Sequence, residues 1–299
     1  MIPETRQHNL AYLYALVAVL FWYTSASAFK LSLRHVDGLS LLFLASVTST
    51  VAFFVFLVAT GKLDQLKAFT KRDYLWSAGL GFLNPFLYYV ILFKAYSLLL
   101  AQEAQPINFV WPLTLVLLSI PLLGQRIKPR SILAIVISFV GVVVIALRLQ
   151  RPADILDFHF TSASGVALAL STTVVWSLYW IYNTRDRRDE AVRLFVNFVF
   201  ASVYILVLLL MLGGVERPNW QGLTGGIYVG LFEMGLTFLA WLRALKMAKT
   251  TAHVVNLIYL VPFLSLVIIA LVLGETILLS TVVGLILIVT GIVLQKAWA

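Results

Sequence analysis

Runs of about twenty apolar residues recur along the whole chain, each closed by a short polar or basic link. Such a run crosses about 30 Å of hydrocarbon at about 1.5 Å per residue. The pattern predicts ten membrane-spanning helices, near 10–29, 38–60, 74–97, 100–123, 130–148, 162–182, 190–212, 220–245, 250–273 and 278–296. The fold class that follows is an all-α membrane protein. Residues 26–28 (Ala-Ser-Ala) look like a signal-peptidase site, but the preceding run is longer than a signal peptide's core and carries Trp22. We read it as a retained first span.

The pattern also repeats. The stretch from Ala101 to Leu147 returns, 150 positions later, from Thr251 to Ala297, with Pro112 meeting Pro262, Gly124 meeting Gly274 and Gly141 meeting Gly291. Trp22 in the first span has its counterpart in Trp176 in the sixth. The polar link at 150–159 is the natural boundary, giving repeats over 1–150 and 160–299 with five helices each. An odd number of helices forces the second repeat to enter the membrane inverted.

Charge tests that inversion. With both termini cytoplasmic, sixteen of the 22 Lys and Arg fall on the inside, leaving Lys30, Arg34, Lys94, Arg148, Arg151 and Arg217 outside, as the positive-inside rule requires. The turn after the fourth span, GQRIKPR, is basic, whereas its copy after the ninth, GETILLS, is not.

Composition sharpens the class. The chain is 61% hydrophobic and 12% charged, outside the range of soluble domains. The net charge of +9 follows the loops and forms no continuous basic face, which argues against nucleic acid as a partner. Cysteine is absent, so disulfides and thiolate chemistry are excluded. There is no phosphate-binding GxxxxGK[ST] loop and no HExxH, and only His253 of the four histidines lies in a span. No cofactor, no metal centre and no enzymatic triad follow from the sequence; a gradient-driven solute carrier fits better than an enzyme.

Polar side chains at membrane depth face protein or water and so mark candidate sites. They are Trp22 with Ser25; Asn84 and Tyr88; Asn108 and Trp111 with Glu103 one turn earlier; Thr172, Trp176 and Tyr179; Glu233, Thr237 and Trp241; and His253, Asn256 and Tyr259. Aromatic faces with amides and carboxylates suit an amphipathic solute. The same residues have plainer readings: interfacial belts for the aromatics, interhelical hydrogen bonds for the asparagines, a helix cap for His253. Glu103, Glu233 and His253 are candidates for proton coupling, and Pro106, Pro112 and Pro262 for hinges. The fifth and tenth spans read as peripheral scaffold, and the pairs Ser77/Gly81 and Gly226/Gly230 as close helix crossings.

Taken together, the paired repeats, a tryptophan in the first span of each and a proline-bearing fourth span running into LxG[QE] resemble the drug/metabolite transporter superfamily, EamA type. Within it, EAQPINFVWPLT at 103–114, WYTS at 22–25 and WSLYWIYN at 176–183 are similar to the bacterial YddG-type aromatic amino acid exporters. The resemblance implies an inner-membrane exporter of aromatic and other amino acids working by alternating access through an aromatic-lined cavity, with Trp22, Asn108, Trp111 and Trp176 among its lining. The alternatives are a multidrug exporter of lipophilic or aromatic cations and, from another class, a lipid scramblase or intramembrane enzyme.

Overall fold

A computed structural model describes residues 4–124, 129–146, 162–184, 186–214, 217–247, 257, 258 and 260–298. These residues form helices and connecting turns, with no strand among them. The helices are α1 Glu4–Ser32, α2 Gly38–Ala59, α3 Lys71–Gly81, α4 Tyr88–Leu98, α5 Ala101–Asn108, α6 Trp111–Leu123, α7 Pro129–Ala146, α8 Ala163–Thr184, α9 Glu190–Met211, α10 Trp220–Tyr228, α11 Leu236–Met247, α12 Leu260–Ile268 and α13 Leu279–Trp298. Wider π-helical turns at Phe82–Leu87, Val229–Gly235 and Ile269–Leu273 join α3 to α4, join α10 to α11 and extend α12.

Seven stretches among the described residues are long and apolar enough to cross a membrane: Asn9–Ser32, Gly38–Ala59, Lys71–Leu98, Ala101–Leu122, Ala163–Asn183, Glu190–Met211 and Trp220–Trp241. The expected fifth, ninth and tenth spans correspond to shorter apolar helices, Leu133–Ile145, Leu260–Leu273 and Leu279–Leu294. Residues 250–256, where the ninth was expected to begin, lie outside the described residues.

The ends are set by local chemistry. Asp37 accepts from the amides of Leu39 and Ser40 to start α2, Thr70 and Asp73 cap α3 reciprocally, Asp189 opens α9 and Asn219 opens α10. Gly124 and Gly274, aligned by the 150-residue register, both take left-handed φ (66° and 68°), which ends each preceding helix without a Cβ clash.

The chain divides into two compact units, one of 1–90 with 186–264 and the other of 91–185 with 265–299. In the first unit α2 packs on α9, α10 and the turn Val229–Gly235, α1 packs on α11, and α3 packs on α9. Polarity there is inside out: Ser46, Ser49, Asn197 and Thr237 are buried, while Leu75 and Met211 are exposed, as a lipid-facing exterior requires. Along the α2–α9 seam Ser46 meets Ser202, Phe53 meets Phe198 and Leu57 meets Val192, so these two helices run antiparallel.

In the second unit α7 packs along α13, α6 on α8, and α5 on α8. A Cβ on Gly141 would strike the Gly284 carbonyl, and one on Gly291 the Ala134 carbonyl. That pairing makes α7 and α13 antiparallel and puts backbone against backbone. Ser138 donates to the Ile288 carbonyl at 2.9 Å across the same seam.

Candidate functional site

In the first unit the turn Val229–Gly235 places Glu233. A π-turn releases carbonyls from the ordinary ladder, and here three of them take side-chain donors. Ser49 Oγ donates to the Gly230 carbonyl at 2.8 Å, Thr237 Oγ1 to that of Phe232, and Trp22 Nε1 to that of Glu233 at 3.3 Å. The Glu233 side chain, in a residue only 9% exposed, turns toward α1 and α4. Its Oε1 accepts from Tyr89 OH at 3.0 Å and its Oε2 from Ser25 Oγ.

Aromatic rings pack on Trp22 and Tyr89, the two aromatic side chains that bond Glu233. Trp22 lies 5.5 Å from Trp241 and 6.4 Å from Phe238 between ring centroids, and Tyr88 meets Tyr89 edge-on at 4.8 Å. Trp241 is buried and Trp22 half-buried. Of the expected residues the structure therefore brings together Trp22, Ser25, Glu233 and Trp241. Tyr89, which the sequence reading passed over in favour of Tyr88, makes the contact with Glu233.

The aligned turn in the other half, Phe82–Leu87, contains Asn84 with non-helical φ −149° and ψ 126°. Asn84 is fully buried, and among the described residues neither its Oδ1 nor its Nδ2 has a hydrogen-bond partner. An unsatisfied buried amide costs about 1–3 kcal/mol. Asn84→Leu, which removes both orphaned atoms at similar volume, is expected to raise the unfolding temperature in detergent. A lowered temperature would mean that the amide is paired in the folded protein.

In the second unit Asn108, at the end of α5, donates from Nδ2 to Thr172 Oγ1 at 2.7 Å. This is the interhelical bond that was one of its two readings. Trp111 and Trp176 approach to 6.4 Å at 73°, and Trp176 continues to Tyr179 at 6.0 Å. Ser177 Oγ donates to the Trp111 carbonyl at 3.1 Å. Tyr96, Gln105 and Ser265 form a buried relay, with Tyr96 OH donating to Gln105 Oε1 at 2.6 Å.

Glu103 is buried and accepts from the Leu100 amide at 3.2 Å, closing the first turn of α5. Glu275 accepts from the amides of Ala101 and Gln102, a second carboxylate on the same helix start, where backbone donors are free. Pro106 lies inside α5, which stops two residues later before α6 begins at Trp111. Pro262 falls in the first turn of α12, where its missing N–H costs little. The side chain of Pro112, and all of His253, Asn256 and Tyr259, lie outside the described residues. Among the described residues no group of His, Cys, Asp and Glu could hold a metal.

A family model described as the EamA-like transporter family matches twice, over residues 9–147 and 163–295. An uncharacterized transporter of Clostridium kluyveri is 29% identical over 184 residues, 58% of this chain and 56% of that protein. An aromatic amino acid exporter, YddG, of Ancylobacter novellus is 27% identical over 169 residues, 56% of each. The alignments thus span about half the length of these two relatives. A solved structure titled "Crystal structure of protein" superposes with a TM-score of 0.67 over 97% of both chains at 21% identity, a likeness of fold.

Proposed function

We propose, because this chain belongs to the EamA-like transporter family, that it exports aromatic and other amino acids across a bacterial inner membrane. It does so by alternating access, its two five-helix repeats (1–150 and 160–299) inserted in opposite senses with both termini in the cytoplasm. Two features support the inversion: α2 against α9, and α7 against α13, are equivalent helices of the two repeats, and each pair runs antiparallel.

The observation that carries the substrate reading is the indole pairing: Trp22 with Trp241 in one unit and Trp111 with Trp176 in the other. Paired indoles on helices that also carry buried amides and a carboxyl suit a solute with a ring at one end and charged groups at the other. In this reading each unit offers its own surface: Tyr88, Asn84 and Glu233 beside the indoles of the first, Tyr179 and Asn108 beside those of the second. The YddG relative supports the same solute class.

Efflux of Phe or Trp from proteoliposomes tests it. Saturable efflux above that of protein-free vesicles is expected, and its absence overturns the reading. Glu233, whose backbone carbonyl takes the Trp22 indole N–H and whose carboxyl takes the Tyr89 hydroxyl, favours a second reading, export of lipophilic aromatic cations. Competition by such cations, without competition by amino acids, would select it.

A further inference from the structure

Glu233 is held in a way that suits two charge states. In the ionised form Tyr89 donates to Oε1 and Ser25 to Oε2. In the protonated form one carboxyl oxygen must instead donate, and its partner must be able to accept. Ser25 can do both: its Oγ also lies 3.4 Å from the Phe21 carbonyl, so its own hydrogen turns there while Oγ accepts from the carboxyl. Tyr89 donates in either state. The site therefore keeps every hydrogen bond when a proton is gained or lost.

Among the described residues it has no resident cation. The turn packs against α1, α2, α10 and α11. Of the charged or titratable groups on those elements whose place is given, Arg243 of α11 turns to Tyr14 OH at 3.3 Å and over the Phe56 ring, Lys30 sits in the last turn of α1, and Tyr228 pairs with Thr24 at 2.7 Å. Among the described residues only hydroxyls meet the carboxyl. A buried carboxylate with no counter-charge is strongly disfavoured, so either a proton or an arriving cation must accompany it. A Gln would make the same two bonds with no such requirement.

We propose that Glu233 exchanges a proton for the ammonium group of the solute, so that one proton enters for each solute exported. The exchange balances: as the ammonium reaches the carboxyl, the O–H proton leaves to the cytoplasmic side. When the ammonium departs outward, a proton from outside replaces it, and Ser25 turns back to Phe21. This rests on the transporter reading and adds the coupling ion and the group that carries it.

The test uses wild-type protein and Glu233→Gln in proteoliposomes with a pH dye inside, loaded with Phe. Wild type is expected to move protons in step with solute and to drive solute uphill when the outside is acidic. In Glu233→Gln, with a wild-type unfolding temperature, the proton signal should fall at least tenfold and uphill movement should vanish. Proton-linked transport persisting in Glu233→Gln overturns the proposal. So does wild-type efflux without proton movement, which leaves the exporter reading intact.

If wild type moves no aromatic solute, or Glu233→Gln does not fold, infrared difference spectroscopy of solubilised wild type with phenethylammonium decides. Loss of a protonated-carboxyl C=O band on addition of the amine supports the exchange, and an unchanged band overturns it.

Discussion

Asp186→Ala is expected to lower stability by about 3 kcal/mol, the low end of the range for removing one partner from a buried ion pair. The Asp186 side chain is 3% exposed, against 14% for Arg188 and 7% for Arg193. Arg188 grips it with two nitrogens, Nε at 2.9 Å and Nη2 at 2.5 Å. Without that carboxylate two guanidinium groups remain in a desolvated place. The low end applies because Arg188 keeps the Asp73 carbonyl, Ser77 Oγ and the face of Phe69.

The same cluster sets an acid limit. Burial acts to raise the Asp186 carboxyl, but the hydrogen bonds and charge of Arg188 outweigh it and hold the group below its ordinary 3.8. Asp189 is held down likewise by Lys62, 2.6 Å away. A group lowered on folding contributes stability at neutral pH, keeps it down to its ordinary value, and loses it as pH falls through the folded value. Acid unfolding in detergent should therefore begin below about pH 3.8, with a flatter profile in Asp186→Asn. An unchanged profile would show that the cluster contributes nothing to folding.

Trp111→Ala is the second large effect, this time on transport. Aromatic pairing contributes about 0.5–1.5 kcal/mol beyond burial, and about 1.4 kcal/mol corresponds to a tenfold change in affinity. Efflux of Phe or Trp at low concentration should fall about tenfold, while Trp111→Phe should retain most of it. The partly buried ring leaves the fold less dependent on it than on Trp176, which is 8% exposed. A stable Trp111→Ala protein with undiminished aromatic efflux would remove ring stacking as the basis of recognition.

The helices were legible because each apolar run is long; the residues that cap their ends, Asp37, Thr70, Asp189 and Asn219, came only with the structure. Trp22, Ser25, Glu233 and Trp241 were legible because polar groups in apolar runs are few. Tyr89 was not. Pairing Asn84 with Tyr88 assumes an unbroken 3.6-residue period, and the non-helical Asn84 shifts the phase that follows. The Asp186 cluster was hidden for another reason. Its partners come from α3 and from the segment before α9, about 110 residues apart in the chain, and only packing joins them. Its one sequence signal is an aspartate among arginines at 185–188.

Each compact unit draws on both halves of the polypeptide, which has a bearing on synthesis. Helices α1 to α3 cannot complete their packing until α9 to α11 emerge, more than a hundred residues later. Until then the polar flank of α2, with Ser46 and Ser49, stands in the bilayer without its eventual neighbours. A gene severed between its repeats would yield two fragments that must find each other before either acquires an interior.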